Sequence, residues 1–242
     1  MTKIVEAIIA GLTTDAPIRE VQSSNIWVAV WSHYCGLAST LASTEYAENS
    51  PAIVGARDLI GRSARKLAEL ALSEEPLEAT LGMAALNSLL DVDESLCEEL
   101  NARDLLLKEA DGKRMALVGH FPFVPELREV AKHLDVLELR PREGDLPADE
   151  AKRVIPQADV VAITGTAFLN HTMEQLLSYR RPDALVVVLG PTTPLSPVLF
   201  DFGVDIVSGI RVLDPPLVLK QVAEGFGFRR MQGLCLLTLR RR

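Results

Sequence analysis

The chain is short of cysteine, of positive charge and of long apolar runs, and each shortage excludes something. Three cysteines in 242 residues (Cys35, Cys97, Cys235) are odd in number and far apart. No disulfide framework is expected, and a reducing cytoplasm is the default setting. Lys and Arg number 25 against 33 Asp and Glu, a net charge of -8. Nucleic acid is therefore not expected as the partner, because phosphates need a basic footprint. No apolar run approaches the ~20 residues of a membrane helix. The opening segment lacks a small-residue cleavage site and is expected as a first helix rather than a signal peptide. There is no GxSxG elbow and no GxxxxGK loop, which sets aside two large enzyme classes. There is no GxGxxG either, so no dinucleotide is expected. CxxC and HExxH are missing as well. His33-x-Cys35 is a weak metal pair that reads better as strand packing. What is present is ordinary globular composition, 48% hydrophobic and 24% charged, which excludes disorder over most of the chain.

Two rhythms divide the chain. In the first, a helix over Ile4 to Ala10 precedes an apolar strand over Ile26 to Trp31. Cys35 to Leu41 is expected to pair with that strand, and helices follow over Gly61 to Leu72, Leu77 to Leu90 and Ser95 to Glu109. From Lys113 strands and helices alternate. Strands are expected over Met115 to Val118, Val136 to Leu139, Val160 to Thr164, Leu185 to Leu189 and Val204 to Val207. Helices are expected over Val124 to His133, Ala148 to Val154, Thr172 to Tyr179, Pro197 to Phe202 and Leu217 to Ala223. Alternation of this kind builds a parallel sheet with helices on both faces. The expected division is residues 1–108, an α+β domain, and residues 109–242, an α/β domain.

An open parallel sheet binds ligands beyond the carboxyl ends of its strands. Those ends carry Gly119-His120, the loop Arg140 to Pro147, the run Thr164-Gly165-Thr166 through Asn170-His171-Thr172, the turn Gly190-Pro191-Thr192-Thr193-Pro194, and Ser208 to Asp214. Thr172 with Gln175 fits a capping box, and that reading ranks above ligand contact for Thr172. For Thr166 and Asn170, capping and ligand contact stand even. The rigid Gly190 turn, with Thr192 and Thr193, suits hydroxyl or oxyanion recognition. His120 is the candidate acid/base, against the commoner structural role of a lone histidine. Glu143 and Asp145 are loop carboxylates able to bind a cation or move a proton, and a solvated loop is the plainer reading. Cys97 and Cys235 read as packing residues in helical or apolar surroundings, and the terminal arginines Arg240-Arg241-Arg242 as a solvated tail.

The string Ala116 to Pro122, then Glu138-Leu139-Arg140-Pro141 with Gly144-Asp145, then Thr164-Gly165-Thr166 through Asn170-His171-Thr172, then Gly190 to Pro194, resembles a prokaryotic family described as putative heavy-metal chelation. Gly36-Leu37-Ala38, Gly61 to Leu70 and Gly82 to Asn87 resemble its usual first domain, which is similar to the enolase N-terminal domain. The resemblance spans nearly the whole chain. It implies an enolase N-terminal-like α+β domain followed by a Rossmann-like domain with a mainly parallel sheet. It also implies a site in the cleft between them, with Asn87 near the Thr164 and Gly190 loops. Members commonly carry Gly where His171 stands, so His171 is a local variation or an extra ligand.

Two functions follow as expectations. The first is binding of a small anionic or metal-bearing ligand in the cleft, with Asn87, Gly119, Glu143, Thr164, Gly165, Thr166, Asn170, Thr172, Gly190, Thr192 and Thr193 as binding residues. His120 and His171 are the metal candidates, and a transition-metal ion is the implied cofactor. Few thiols and unclustered histidines argue against a tight soft-metal cage. The second is a lyase or transferase acting on a small anionic metabolite with His120 as acid/base. The expected partner is a small-molecule or metal ligand, without nucleic acid or membrane; a homo-oligomer is compatible with either function.

Overall fold

The computed structural model describes residues 2–41 and 56–241; Arg242 of the terminal basic cluster lies outside them. Helix α1 (Lys3–Ala10) is followed by β1 (Glu20–Ser23), β2 (Trp27–Trp31) and β3 (Cys35–Ser39), an antiparallel three-stranded sheet. Helix α3 (Pro76–Asn87) covers one of its faces, and α2 (Ala64–Ala68) packs against α3. Strand β2 has no polar alternation because both its faces are covered. Val28 and Val30 join the cluster that contains α3, while Trp27 and Ala29 meet Val218, Leu219 and Val222 from near the end of the chain. Helix α3 is apolar all round, with every residue from Ala79 to Leu86 buried, as befits a helix inside a core.

Then come β4 (Cys97–Glu98), α4 (Ala102–Ala110), β5 (Arg114–Val118), α5 (Val124–Val130), β6 (His133–Glu138) and β7 (Leu146–Pro147). They continue into α6 (Ala151–Val154), β8 (Val160–Thr164), α7 (Met173–Ser178), β9 (Leu185–Leu189), α8 (Val198–Asp201), β10 (Ile206–Val212), α9 (Pro215–Ala223) and β11 (Leu234–Arg240). One eight-stranded sheet runs β4-β11-β10-β9-β8-β5-β6-β7. It is parallel from β10 through β7, as the strand–helix alternation predicts, and antiparallel where β11 joins β10 and β4 joins β11. Helix α9 turns back to cover the small sheet, and a single apolar cluster containing Ile4, Leu86, Phe168 and Val188 joins both sheets.

Several expectations change. Strand β1, with the polar sequence EVQS, carries no apolar signal. The segment Ser95 to Glu109 is not one helix: its start forms β4, and α4 begins after Asn101, whose side chain accepts the Arg103 N–H. His133 belongs to β6 rather than to the preceding helix. Ser208 to Val212 is strand rather than loop, because the hydroxyls of Ser208 and Thr238 pair at 2.8 Å inside the sheet. Arg240 is not in a solvated tail. It ends β11 and faces Glu98 at 3.4 Å. Cys97 and Cys235 both lie on strands.

The crossovers define one special place. From β5 the chain crosses through α5 to β6 on one side, then returns through α6 to β8 on the other side of β5. Connections therefore leave β5 and β8 in opposite directions, and the carboxyl ends there open a crevice.

Two glycines set how closely α3 can lie. A Cβ on Gly36 would sit 2.1 Å from the Ala84 carbonyl oxygen, and one on Gly82 would sit 1.9 Å from the Ala71 nitrogen. Both obstacles are backbone, so Gly36→Ala or Gly82→Ala is expected to cost about 3 kcal/mol or more in urea unfolding, with α3 displaced. Burial, reinforced by the Glu20 carboxylate, pushes the Cys35 thiol up to about 12 from an ordinary 9.0. Between those values the unfolded chain loses this proton and the folded chain keeps it. Cys35 is thus expected to make stability fall as pH rises from 9 toward 12, and Cys35→Ala to flatten that part of the pH profile.

Candidate functional site

A cavity of about 600 Å³ occupies the crevice at the carboxyl ends of β5, β6 and β8. That volume suits a small molecule. Gly119 leaves β5 with φ +98°, a left-handed turn that favours glycine. The turn brings the His120 backbone N–H to Glu138 Oε2 at 2.9 Å, and Glu138 Oε1 accepts the Leu139 N–H at 2.9 Å. The His120 ring reaches the other way. Its Nδ1 stands 2.8 Å from Oδ2 of Asp145, a carboxylate whose side chain is wholly buried. The Arg142 N–H donates to the same oxygen at 3.1 Å, and the Arg128 guanidinium lies 3.9 Å from the other. An acceptor-only partner at Nδ1 draws the imidazole proton there. In the neutral ring Nε2 is then an acceptor on a residue that lines the cavity.

The opposite wall comes from β8 and the loop beyond it. Thr164 accepts the Thr166 N–H at 3.3 Å through its hydroxyl, which also contacts the Thr166 hydroxyl at 3.0 Å, and so caps the short turn of helix Gly165–Phe168. Asn170 Oδ1 accepts the Thr172 hydroxyl at 2.7 Å and its N–H at 3.3 Å. The expected capping box at Thr172 does not form: its hydroxyl points to Asn170 and caps no helix N–H. Thr164, Thr166, Asn170 and Thr172 all line the cavity, together with Gly119 and His120.

Other expected residues lie elsewhere. Asn87 Nδ2 donates to the carbonyls of Leu37 and Thr192, both at 3.2 Å, and Thr192 Oγ1 accepts the Ser39 N–H at 2.9 Å. These side chains knit the two sheets together. Gly165 is buried against Thr193, where a Cβ would come within 2.5 Å of the Thr193 hydroxyl. Gly190 lines a second cavity of about 600 Å³, with Trp27, Phe123, Phe228 and Arg229, and Phe121 lines both cavities. Glu143 is exposed and lines neither. His33 is exposed in the turn between β2 and β3 while Cys35 is buried, so the two do not share a strand face. His171 sits at φ +56° and its Nε2 meets the Ser73 carbonyl oxygen at 2.8 Å. The two metal candidates are therefore not brought together: His120 lines the cavity and His171 does not.

Asp145 is visible in the sequence as a loop carboxylate but not as the partner of His120, because the two lie 25 positions apart. Glu138 is a site residue that sequence reasoning missed. It ends its strand, and that position on the strand after a glycine turn was the available signal. Leu139, Tyr179 and Lys152 complete the wall and gave no signal of their own.

The described residues contain no group of three or more His, Cys, Asp or Glu placed to hold a metal ion. Around the cavity the polar groups are one imidazole, hydroxyls, the amides of Asn170 and Gln175, the Lys152 amine, the Asp149 carboxylate and a Glu138 carboxylate already engaged by two N–H groups. This set does not fit a bare transition-metal ion, which seeks several converging N or S ligands.

Fold and cavity define a doubly wound α/β protein with a cavity at the switch of its sheet. Residues 101–241 match the model of a family described as "Putative heavy-metal chelation", and residues 5–90 match a second model with the same description. The chain belongs to that family, as its motifs imply. It superimposes on a crystal structure from the family, a Desulfitobacterium hafniense protein with unknown function, with a TM-score of 0.85 and 26% identity, covering 99% of this chain and 97% of that one. A Pyrococcus horikoshii family member, also with unknown function, shares the fold at a TM-score of 0.77 and 20% identity, covering 99% of each chain. An uncharacterized protein of Methanocaldococcus jannaschii is 30% identical over 164 residues, 64% of this chain; the match spans 62% of that relative's length.

The left-handed backbone at His171 explains why glycine suits this position. His171→Gly removes the strain together with the bond to Ser73, so it is expected to stay within about 1 kcal/mol of the parent. His171→Ala loses the bond and keeps the strain, and is expected to be less stable than His171→Gly by about 1 kcal/mol in thermal unfolding.

Proposed function

We propose that this protein binds a small organic ligand at the carboxyl edge of β5, β6 and β8, and that a metal reaches the site held by that ligand rather than by a protein cage. The observation that carries this reading is the His120–Asp145 pair on the cavity wall, facing hydroxyl and amide groups from the β8 loop. An imidazole fixed by a buried carboxylate presents one oriented nitrogen, and the threonine and asparagine groups hold polar atoms of a ligand opposite it. The family description supplies the metal; the donor set argues for its arrival as a complex. The cleft between the two sheets, where the resemblance puts the site, is the less favoured place. Asn87 and Thr192 are engaged there in joining the sheets.

A second reading, a lyase or transferase acting on a small anionic metabolite, is favoured by the same pair. A carboxylate-oriented imidazole is suited to move a proton. His120→Gln separates the two. An enzyme retains ligand and loses turnover, whereas a binding protein that uses His120 as a contact loses affinity.

The protein passed through a filtered metabolite extract and desalted is expected to retain an organic molecule, read by native mass spectrometry, and His120→Ala to lose it. Transition-metal ions offered alone are expected to wash away. Retention of one bare ion per chain, lost in His120→Ala, would overturn the organic-ligand reading.

A further inference from the structure

We infer that the cavity takes a ribonucleoside, with the ribose diol on Glu138 and the base over Leu139. This rests on the cavity being the ligand site and names the class of its ligand. Glu138 is the last residue of β6, the strand reached from β5 by the first crossover. In doubly wound sheets a carboxylate at this place, about 20 residues after the glycine turn, is positioned to accept both hydroxyls of a ribose. The glycine turn here is Gly119, 138 − 119 = 19 positions earlier. Each Glu138 oxygen already accepts one backbone N–H, at 2.9 Å in both cases. Those bonds aim the carboxylate and leave each oxygen a lone pair for a hydroxyl.

Leu139 comes immediately after, 63% exposed, with its side chain on the cavity. A large apolar residue left open beside a fixed carboxylate suits a flat ring next to a polyol. Ala148, Ala151, Leu176 and Tyr179 supply further apolar wall around it.

A phosphate is not expected where a dinucleotide would place one. The loop after β5 reads His120-Phe121-Pro122-Phe123-Val124-Pro125. Both prolines lack an N–H. The His120 N–H is taken by Glu138 and the Val124 N–H by the Phe121 carbonyl at 3.1 Å. A run of consecutive available N–H groups, as a pyrophosphate cradle needs, is therefore interrupted at His120, Pro122, Val124 and Pro125. The ligand class is a nucleoside unit without phosphate at this loop.

The test titrates adenosine, guanosine, cytidine and uridine, each at millimolar concentration, against the full chain by saturation-transfer NMR and calorimetry. At least one is expected to bind, its 2′-deoxy analogue to bind weaker by on the order of tenfold or more, and Leu139→Asp to weaken both forms alike. Leu139 is exposed, so this variant leaves the core intact. Glu138→Gln is expected to erase the preference for the ribose form. Its amide would face one of the two backbone N–H groups, so the deoxy comparison on the unaltered chain makes the same test without touching the fold. Binding without preference for the ribose form overturns the assignment of Glu138. No binding of any of the four overturns the nucleoside class. The metabolite-extract experiment then separates the two failures. A retained non-nucleoside molecule lost in His120→Ala leaves the cavity reading standing, and no retained molecule removes both.

Discussion

The carboxylate of Glu138 is the fastening on which the site depends. It takes the N–H of His120 from the neighbouring strand exit and the N–H of the residue after itself. A carboxylate bound by two backbone donors is fixed in direction. With the backbone of His120 pinned in this way, the ring is left to reach Asp145. Gly119 makes this possible, since its left-handed turn is the one that swings the next N–H back toward β6. Gly119, His120, Glu138 and Asp145 thus form one corner of the cavity, and polar groups after β8 line it as well.

A second constraint lies behind the site. The small sheet is enclosed between α3 and α9, elements drawn from opposite ends of the chain. Close packing at Gly36, Gly82 and Gly165 leaves little room for sliding. The hydrogen bonds from Asn87 to Thr192 and from Ser39 to Thr192 cross the same junction. The strand exits at β8 and β9 are therefore held from behind by the junction, and the β8 exit opens in front onto the cavity. Polar residues that look like site residues in the sequence are used here as structural ties. Burial favours a partner for each amide and hydroxyl, and the junction supplies one to Asn87 Nδ2 and to the Thr192 hydroxyl, while Asn87 Oδ1 and the Thr193 hydroxyl have none.

Legibility followed the range of the interaction. The strand–helix alternation after Lys113 was plain, because two-sided burial turns parallel strands into short apolar runs. Helix α3 and the β2–β3 hairpin were equally plain. The polar strand β1, the two-residue strands β4 and β7, and the antiparallel β11 were not, because their state is set by a neighbour's free edge rather than by their own pattern. At the site, Gly119, His120, Thr164, Thr166, Asn170 and Thr172 could be placed from the rule that strand ends gather along one edge. Glu143 was preferred to Asp145 with no means of choosing between two loop carboxylates two positions apart. One is exposed and the other buried under His120.

The sequence by itself determined the fold class, the family and the edge of the sheet where a ligand could bind, since periodicity and turn chemistry are local and survive without tertiary contacts. Only the tertiary structure decided which polar residues serve the cavity and which serve the junction. It paired His120 with Asp145, sent His171 to Ser73 and Thr192 to Ser39, and closed the sheet with β11. Each of those choices is a contact between residues far apart in the chain, made when a buried donor or acceptor has to find a partner and only the folded arrangement brings one within reach.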